Sequence, residues 1–117
     1  MALANTWNWQ LAQGSEANAQ LTFTQNGSPY DLTGLTWEYV VRDSGGAVQF
    51  SLTTTANTQG VLTVDTVAAT VTVTLYAAAT VSLSPGPYRH ALWSDPGEPT
   101  ATLWTAGAFA VVSVPQP

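Results

Sequence analysis

Apolar and polar residues alternate with a period of two along most of the chain, and no long stretch keeps the 3.6-residue period of a helix. Successive side chains of a strand point to opposite faces, so this pattern predicts a series of half-buried β-strands. Trp7, Trp9 and Leu11 alternate with Thr6, Asn8 and Gln10, and Ala19, Leu21 and Phe23 with Gln20, Thr22 and Thr24. Asn26-Gly27-Ser28-Pro29 then has the chemistry of a turn. The strongest alternation sets Leu35, Trp37, Tyr39 and Val41 against Thr36, Glu38, Val40 and Arg42. An Asp43-Ser44-Gly45-Gly46 hairpin turn leads from it into Val48, Phe50 and Leu52. Further strands are predicted at residues 60–65, 69–76, 88–93, 101–105 and 109–114, the second of them with Thr70, Thr72 and Thr74 as its polar face. One short helical turn is predicted near residues 77–80, because Ala77-Ala78-Ala79 is followed by Ser84-Pro85-Gly86-Pro87 and proline cannot continue a helix.

Turn residues recurring at short intervals between such strands predict an antiparallel β-sandwich or barrel. Neither an internal repeat nor a linker-like tract divides the chain, so residues 1–117 are expected to form one domain. Composition narrows the function. The absence of cysteine excludes a disulfide framework, a thiolate nucleophile and thiolate metal sites. Arg42 and Arg89 are the only basic residues against seven acids, a net charge of −5 that offers no phosphate-neutralising surface, so nucleic acid is excluded as a partner. The apolar stretches are far shorter than the ~20 residues needed to span a bilayer, which argues against membrane insertion. The N-terminal segment MALANTWNWQ lacks the cationic and apolar regions of a signal peptide, so synthesis in the cytoplasm is expected. Only 8% of residues are charged, where soluble domains carry about a quarter. The surface must therefore be built largely from Thr, Ser, Asn, Gln and Ala.

Candidate chemistry is sparse. His90 is the sole histidine and any Ser-His-Asp hydrolase would have to use it, yet the nearby Ser94-Asp95 pair has no nucleophile-elbow or oxyanion-hole context. In phase with Tyr88 and Leu92, His90 reads as a half-buried, hydrogen-bonded residue of the inner face. One imidazole cannot make a zinc site. Asp31, Asp43, Asp65 and Asp95 all lie in or beside predicted turns, but none has the alternate-residue spacing of a calcium loop, and aspartate is an ordinary turn residue. Glu16, Glu38 and Glu98 nominate no glycosidase pair. Glu38 and Arg42 share a strand face at ~13 Å, too far for a direct ion pair. Neither a phosphate-binding loop nor a dinucleotide fingerprint occurs. The expectation is a non-enzymatic protein without cofactor or metal.

The tryptophans carry the remaining signal. Trp37, together with at least one of Trp7 and Trp9, is expected in the core. With Leu92 and Leu103 pointing inward, alternation would put Trp93 and Trp104 on the outer face. Trp93, Trp104 and Trp7 are therefore the interface candidates. Tryptophan is enriched in protein interfaces and interface cores are poor in charge, which favours protein docking. The competing use of such rings is as stacking platforms for a glycan.

The strand Gln20-Leu21-Thr22-Phe23-Thr24, the run Asn26 to Gly34 ending Asp31-Leu32-Thr33-Gly34, the strand end Val40-Val41-Arg42, the segment Leu83 to Tyr88 and the final Ala106 to Val111 together resemble small immunoglobulin-like domains. Domains of this kind occur in tail and baseplate proteins of tailed bacteriophages, including the N-terminal domain of upper baseplate proteins. The resemblance implies an immunoglobulin-like sandwich in a non-enzymatic virion protein, homo-oligomeric and attached to other virion proteins. A capsid decoration protein is the nearest variant, and a carbohydrate-binding adhesin using the exposed tryptophans is the alternative of another class. Within the shared pattern, Asp31 is expected to accept local backbone hydrogen bonds and Gly34 to supply a positive φ, setting the direction of the strand that bears Trp37.

Overall fold

The computed structural model describes residues 5–113. In chain order the strands are β1 (Asn5–Thr6), β2 (Trp9–Ala12), β3 (Ala17–Thr22), β4 (Thr24–Gln25), β5 (Ser28–Pro29), β6 (Trp37–Asp43), β7 (Val48–Leu52), β8 (Gly60–Asp65) and β9 (Thr70–Leu75). The helix α1 (Ala77–Val81) follows, and then β10 (Gly86–Ser94) and β11 (Thr102–Val112). A six-stranded sheet has the order β1-β11-β10-β6-β7 with β2 also on β11, and a three-stranded sheet has the order β3-β9-β8. The small β4-β5 hairpin turns at Asn26 and Gly27, both at positive φ.

The two main sheets form an all-β sandwich. Val71, Val73 and Leu75 of β9 and Leu62 of β8 face Tyr39, Val41, Leu52, Leu92, Phe109 and Val111 of the large sheet, all fully or almost fully buried. Strand order β3-β9-β8 against β11-β10-β6-β7 is that of the B-E-D and G-F-C-C′ sheets of an immunoglobulin domain. Two further marks agree. Trp37 is buried on the strand equivalent to C, and Tyr88, near the start of the strand equivalent to F, donates its hydroxyl hydrogen to the Ser84 carbonyl at 2.6 Å, as a tyrosine corner does. Disulfide-bearing immunoglobulin domains have a cysteine two residues beyond that tyrosine. Here the position is His90.

Three details depart from the alternation pattern. The predicted strand at residues 101–105 and the one beginning at 109 are a single strand, β11, running unbroken through Ala106-Gly107-Ala108, while Val114 lies outside the described residues. Gly107 breaks nothing. It is glycine because the backbone of Trp7 comes so close that a Cβ there would collide with the Trp7 carbonyl oxygen. Second, the predicted strand around Trp7 to Leu11 is split into β1 and β2, since the Ala108 N–H bonds to Asn8 Oδ1 (3.0 Å) and so interrupts the backbone ladder. Third, β1 and β2 pair with β11 in parallel, with Leu11 opposite Val111. The rest of the ladder is antiparallel. The predicted turn holds: Asp31 Oδ1 accepts the Thr33 N–H at 3.0 Å, Gly34 has φ 78°, and Leu32 is buried between them. That hydrogen bond holds the Asp31 carboxyl below its ordinary pKa.

Candidate functional site

Strand register fixes which side chains share the outer face of the large sheet. On β10 the outward residues are Arg89, Ala91 and Trp93, and β6 sets Arg42, Val40 and Glu38 directly opposite them. On the other side β11 contributes Ala108, Ala106 and Leu103. The face is thus three rows: Glu38-Trp93-Leu103, Val40-Ala91-Ala106, and Arg42-Arg89-Ala108. Small residues in the middle row leave a shallow trough of about 460 Å³, closed at the Trp93 end by Pro96, Gly97 and Ala101 of the loop between β10 and β11. A second depression of about 510 Å³ continues past Arg89 towards Pro87 and Ala108. Val40 is outward-facing yet nearly buried, because the stems of its larger neighbours cover it.

The charge distribution on this face is uneven. Both basic residues of the chain stand directly opposite one another across β6 and β10, an arrangement that costs stability in a sheet. Arg42 Nη1 donates to the Gly46 carbonyl at 3.0 Å, whereas Arg89 has no hydrogen-bond or ion-pair partner among the described residues. Asp95 anchors the loop that walls the trough. Its carboxylate accepts from the Thr36 N–H, the Thr36 hydroxyl and the Thr100 hydroxyl, and its own N–H donates to the Thr36 carbonyl at 2.7 Å. These bonds, the Thr36 N–H first, lower the Asp95 pKa.

The interface candidates separate sharply. Trp93 lies outward and half-buried, lining the trough. Trp104 does not share its face, contrary to simple alternation. Register slips between Leu92 and Trp93, so that Leu92 opposes Thr105 and Trp93 opposes Leu103, leaving Trp104 as the extra residue of a β-bulge. The bulge turns Leu103 outward and Trp104 inward, where its ring packs among Phe23, Tyr30 and Trp37 and its Nε1–H donates to the buried Ser94 hydroxyl at 2.8 Å. Trp7 also faces inward, stacked on Trp9 with ring centroids 5.0 Å apart and packed on His90. A pair of stacking platforms on one face is therefore not present: both rings are half-buried, Trp93 on the outer face and Trp104 against the core.

On the inner face His90 is 3% exposed and both ring nitrogens are engaged. Nε2 meets the Trp7 carbonyl, which can only accept, so Nε2 carries the proton and Nδ1 accepts the Tyr39 hydroxyl hydrogen at 2.7 Å. Burial lowers the His90 pKa and raises that of Tyr39 well above 10. The histidine is neutral and joins three elements: β6, β10 and the segment between β1 and β2. Ser94 and Asp95 turn to other partners, so the superficial hydrolase set is not assembled. Asp43 and Asp65 each accept backbone N–H bonds within their own turns, and no three His, Asp or Glu side chains cluster among the described residues as a metal site would need.

Sequence reasoning missed the arginine pair and the Tyr39-His90-Trp7 chain. The first had a readable signal, since Glu38 and Arg42 share a face and Arg89 is in phase with Trp93. What was missing was the register between β6 and β10. No protein-family model matches the chain, and no curated protein matches it either.

Proposed function

We propose that this chain is a non-enzymatic structural protein of a tailed-bacteriophage particle, acting as an assembly module whose docking surface is the outer face of β6, β10 and β11. The carrying observation is Trp93, a large aromatic residue set on an open, otherwise small-residue trough beside the chain's only two cations. Buried aromatic and arginine anchors are the residues that dominate protein interfaces. The commitment of His90, Ser94 and Asp95 to structural hydrogen bonds supports a role in assembly rather than turnover. The particle context rests on the resemblance of the segments quoted above to phage tail and baseplate domains, with decoration of the head as the nearest variant. The test is direct. Mass spectrometry of gradient-purified particles made by the genome that encodes the chain should find it as a stoichiometric component, and antibody against it should label those particles in negative stain. Absence from purified particles would overturn the proposal.

A further inference from the structure

The trough has a symmetry that a generic docking face would lack. Along β6 the outward positions run Glu38, Val40, Arg42, and along β10 they run Trp93, Ala91, Arg89, so an acidic and aromatic end is separated from a cationic end by a row of small apolar residues. Consider a two-fold axis lying in the plane of the face, across the strands and along the row Val40-Ala91-Ala106. A second copy turned about it presents its rows in reverse order. Glu38 of one copy then meets Arg42 of the other, Trp93 meets Arg89, and the middle rows meet themselves. Every contact off the axis occurs twice, as an isologous interface requires. The small middle row lets the faces approach to the ~10 Å of packed sheets. The guanidinium of Arg89, without a partner among the described residues, enters the concavity beside Trp93 and lies against its ring, a cation–π geometry that arginine favours. The opposed arginines, unfavourable in a single copy, become the cationic half of a complementary pair.

We infer that the outer face of the large sheet is a self-complementary surface on which a second copy of this chain docks about that two-fold axis, Glu38 pairing with Arg42 and Trp93 with Arg89 across the interface. The inference rests on taking this face as a protein-docking surface and adds which partner occupies it. Face-to-face packing of this kind aligns the strands of the two copies, leaving the β7 and β2 edges and the three-stranded sheet free for other contacts.

Charge reversal separates this pairing from every other mode of association. Light scattering over a concentration series should give the wild-type chain twice its 12.3 kDa mass. Glu38→Arg alone, or Arg42→Glu with Arg89→Glu, sets like charges against each other and should weaken dimerisation roughly tenfold or more, each variant keeping the wild-type circular-dichroism spectrum and a cooperative melt as a control of folding. An equimolar mixture of the two variants restores both charge pairs and one of the two Trp93–Arg89 contacts, and should recover the dimer above the level of either variant alone, seen as the mixed species by native mass spectrometry. Glu38→Gln and Arg89→Gln provide milder versions should a reversed variant misfold. A wild-type chain that stays monomeric throughout, a dimer indifferent to both reversals, or a mixture that does not recover would each overturn the inference. A solution monomer that is nonetheless found on particles would remove the two-fold pairing and leave the particle role standing, and a dimer absent from particles would do the opposite.

Discussion

Trp93 and Trp104 occupy adjacent strands almost at the same level and are both half-buried, yet one ring lines the outer face and the other packs against the core. The difference is one residue. A bulge in β11 lets Trp104 turn inward to reach Ser94, while β10, which is regular at Trp93 in its pairing with β6, keeps Trp93 outward. The inner face then uses its polar groups to close hydrogen bonds locally: Ser94 takes the Trp104 N–H, and His90 takes Tyr39 and Trp7. On the outer face Arg42 bonds the Gly46 carbonyl, while Glu38 and Arg89 have no hydrogen-bond or ion-pair partner among the described residues. Aromatic and polar residues thus occur on both sides of one sheet, so residue type alone does not tell core from contact surface.

Replacing the two indoles in turn should break the pair apart most strongly. Trp104→Ala removes a packed ring and leaves the Ser94 hydroxyl without its donor, so it should cost about 3 kcal/mol of unfolding free energy in urea. Trp93→Ala, in the same assay at a dilution where the chain is monomeric, should stay within about 0.5 kcal/mol, since it vacates only the surface trough. Equal losses at the two sites would contradict the inward and outward assignment. On the inner face alone, Tyr39→Phe should cost about 1–3 kcal/mol because Nδ1 of the buried His90 loses its donor. A neutral result would mean that water reaches the ring.

The smallest expected effect is on pH dependence. Burial depresses the His90 pKa below the ordinary 6.5, so as pH falls the unfolded chain takes up this proton first. Stability is therefore complete at neutral pH and declines as pH drops from about 6.5 towards the lower folded value. His90 is the only histidine of the chain, and His90→Gln should flatten this part of the profile while leaving the acid limb set by Asp31 and Asp95. Chemical denaturation at a series of pH values reads both, and a profile unchanged by the substitution would exclude His90 as its source.

Much of the sandwich was legible because period-two alternation reports burial directly, as β6 and β9 demonstrate, and because Pro85 marks the end of the helical stretch that α1 fills. Failures share one cause. Alternation counts residues, whereas a bulge inserts one, so Leu103 and Trp104, on the N-terminal side of the slip in β11, are placed on the wrong faces. Residues 106–108 similarly fall between two predicted strands, whereas Gly107 continues β11 and admits the Trp7 backbone. The parallel pairing of β1 and β2 and the Tyr39-His90-Trp7 chain join residues far apart in sequence, and no local pattern encodes such a meeting. For the candidate site, the outward phase of Trp93 was readable, but the opposition of Arg42 and Arg89 required a register that only the assembled sheet supplies.

The pairing of Leu11 with Val111 also sets the order in which the molecule can be made. A strand synthesised early, bearing Trp9 and preceded by Trp7, has its partner in the final strand described, and β3 likewise waits for β9. Closing such distant pairs requires ordering most of the chain first, which puts sandwiches of this type on the millisecond-to-second scale. Until β11 has left the ribosome, Trp7 and Trp9 lack the strand they pack beside. The speed with which β11 slots between β10 and β2, more than the formation of any single hairpin, decides whether a newly made copy folds or is captured by aggregation.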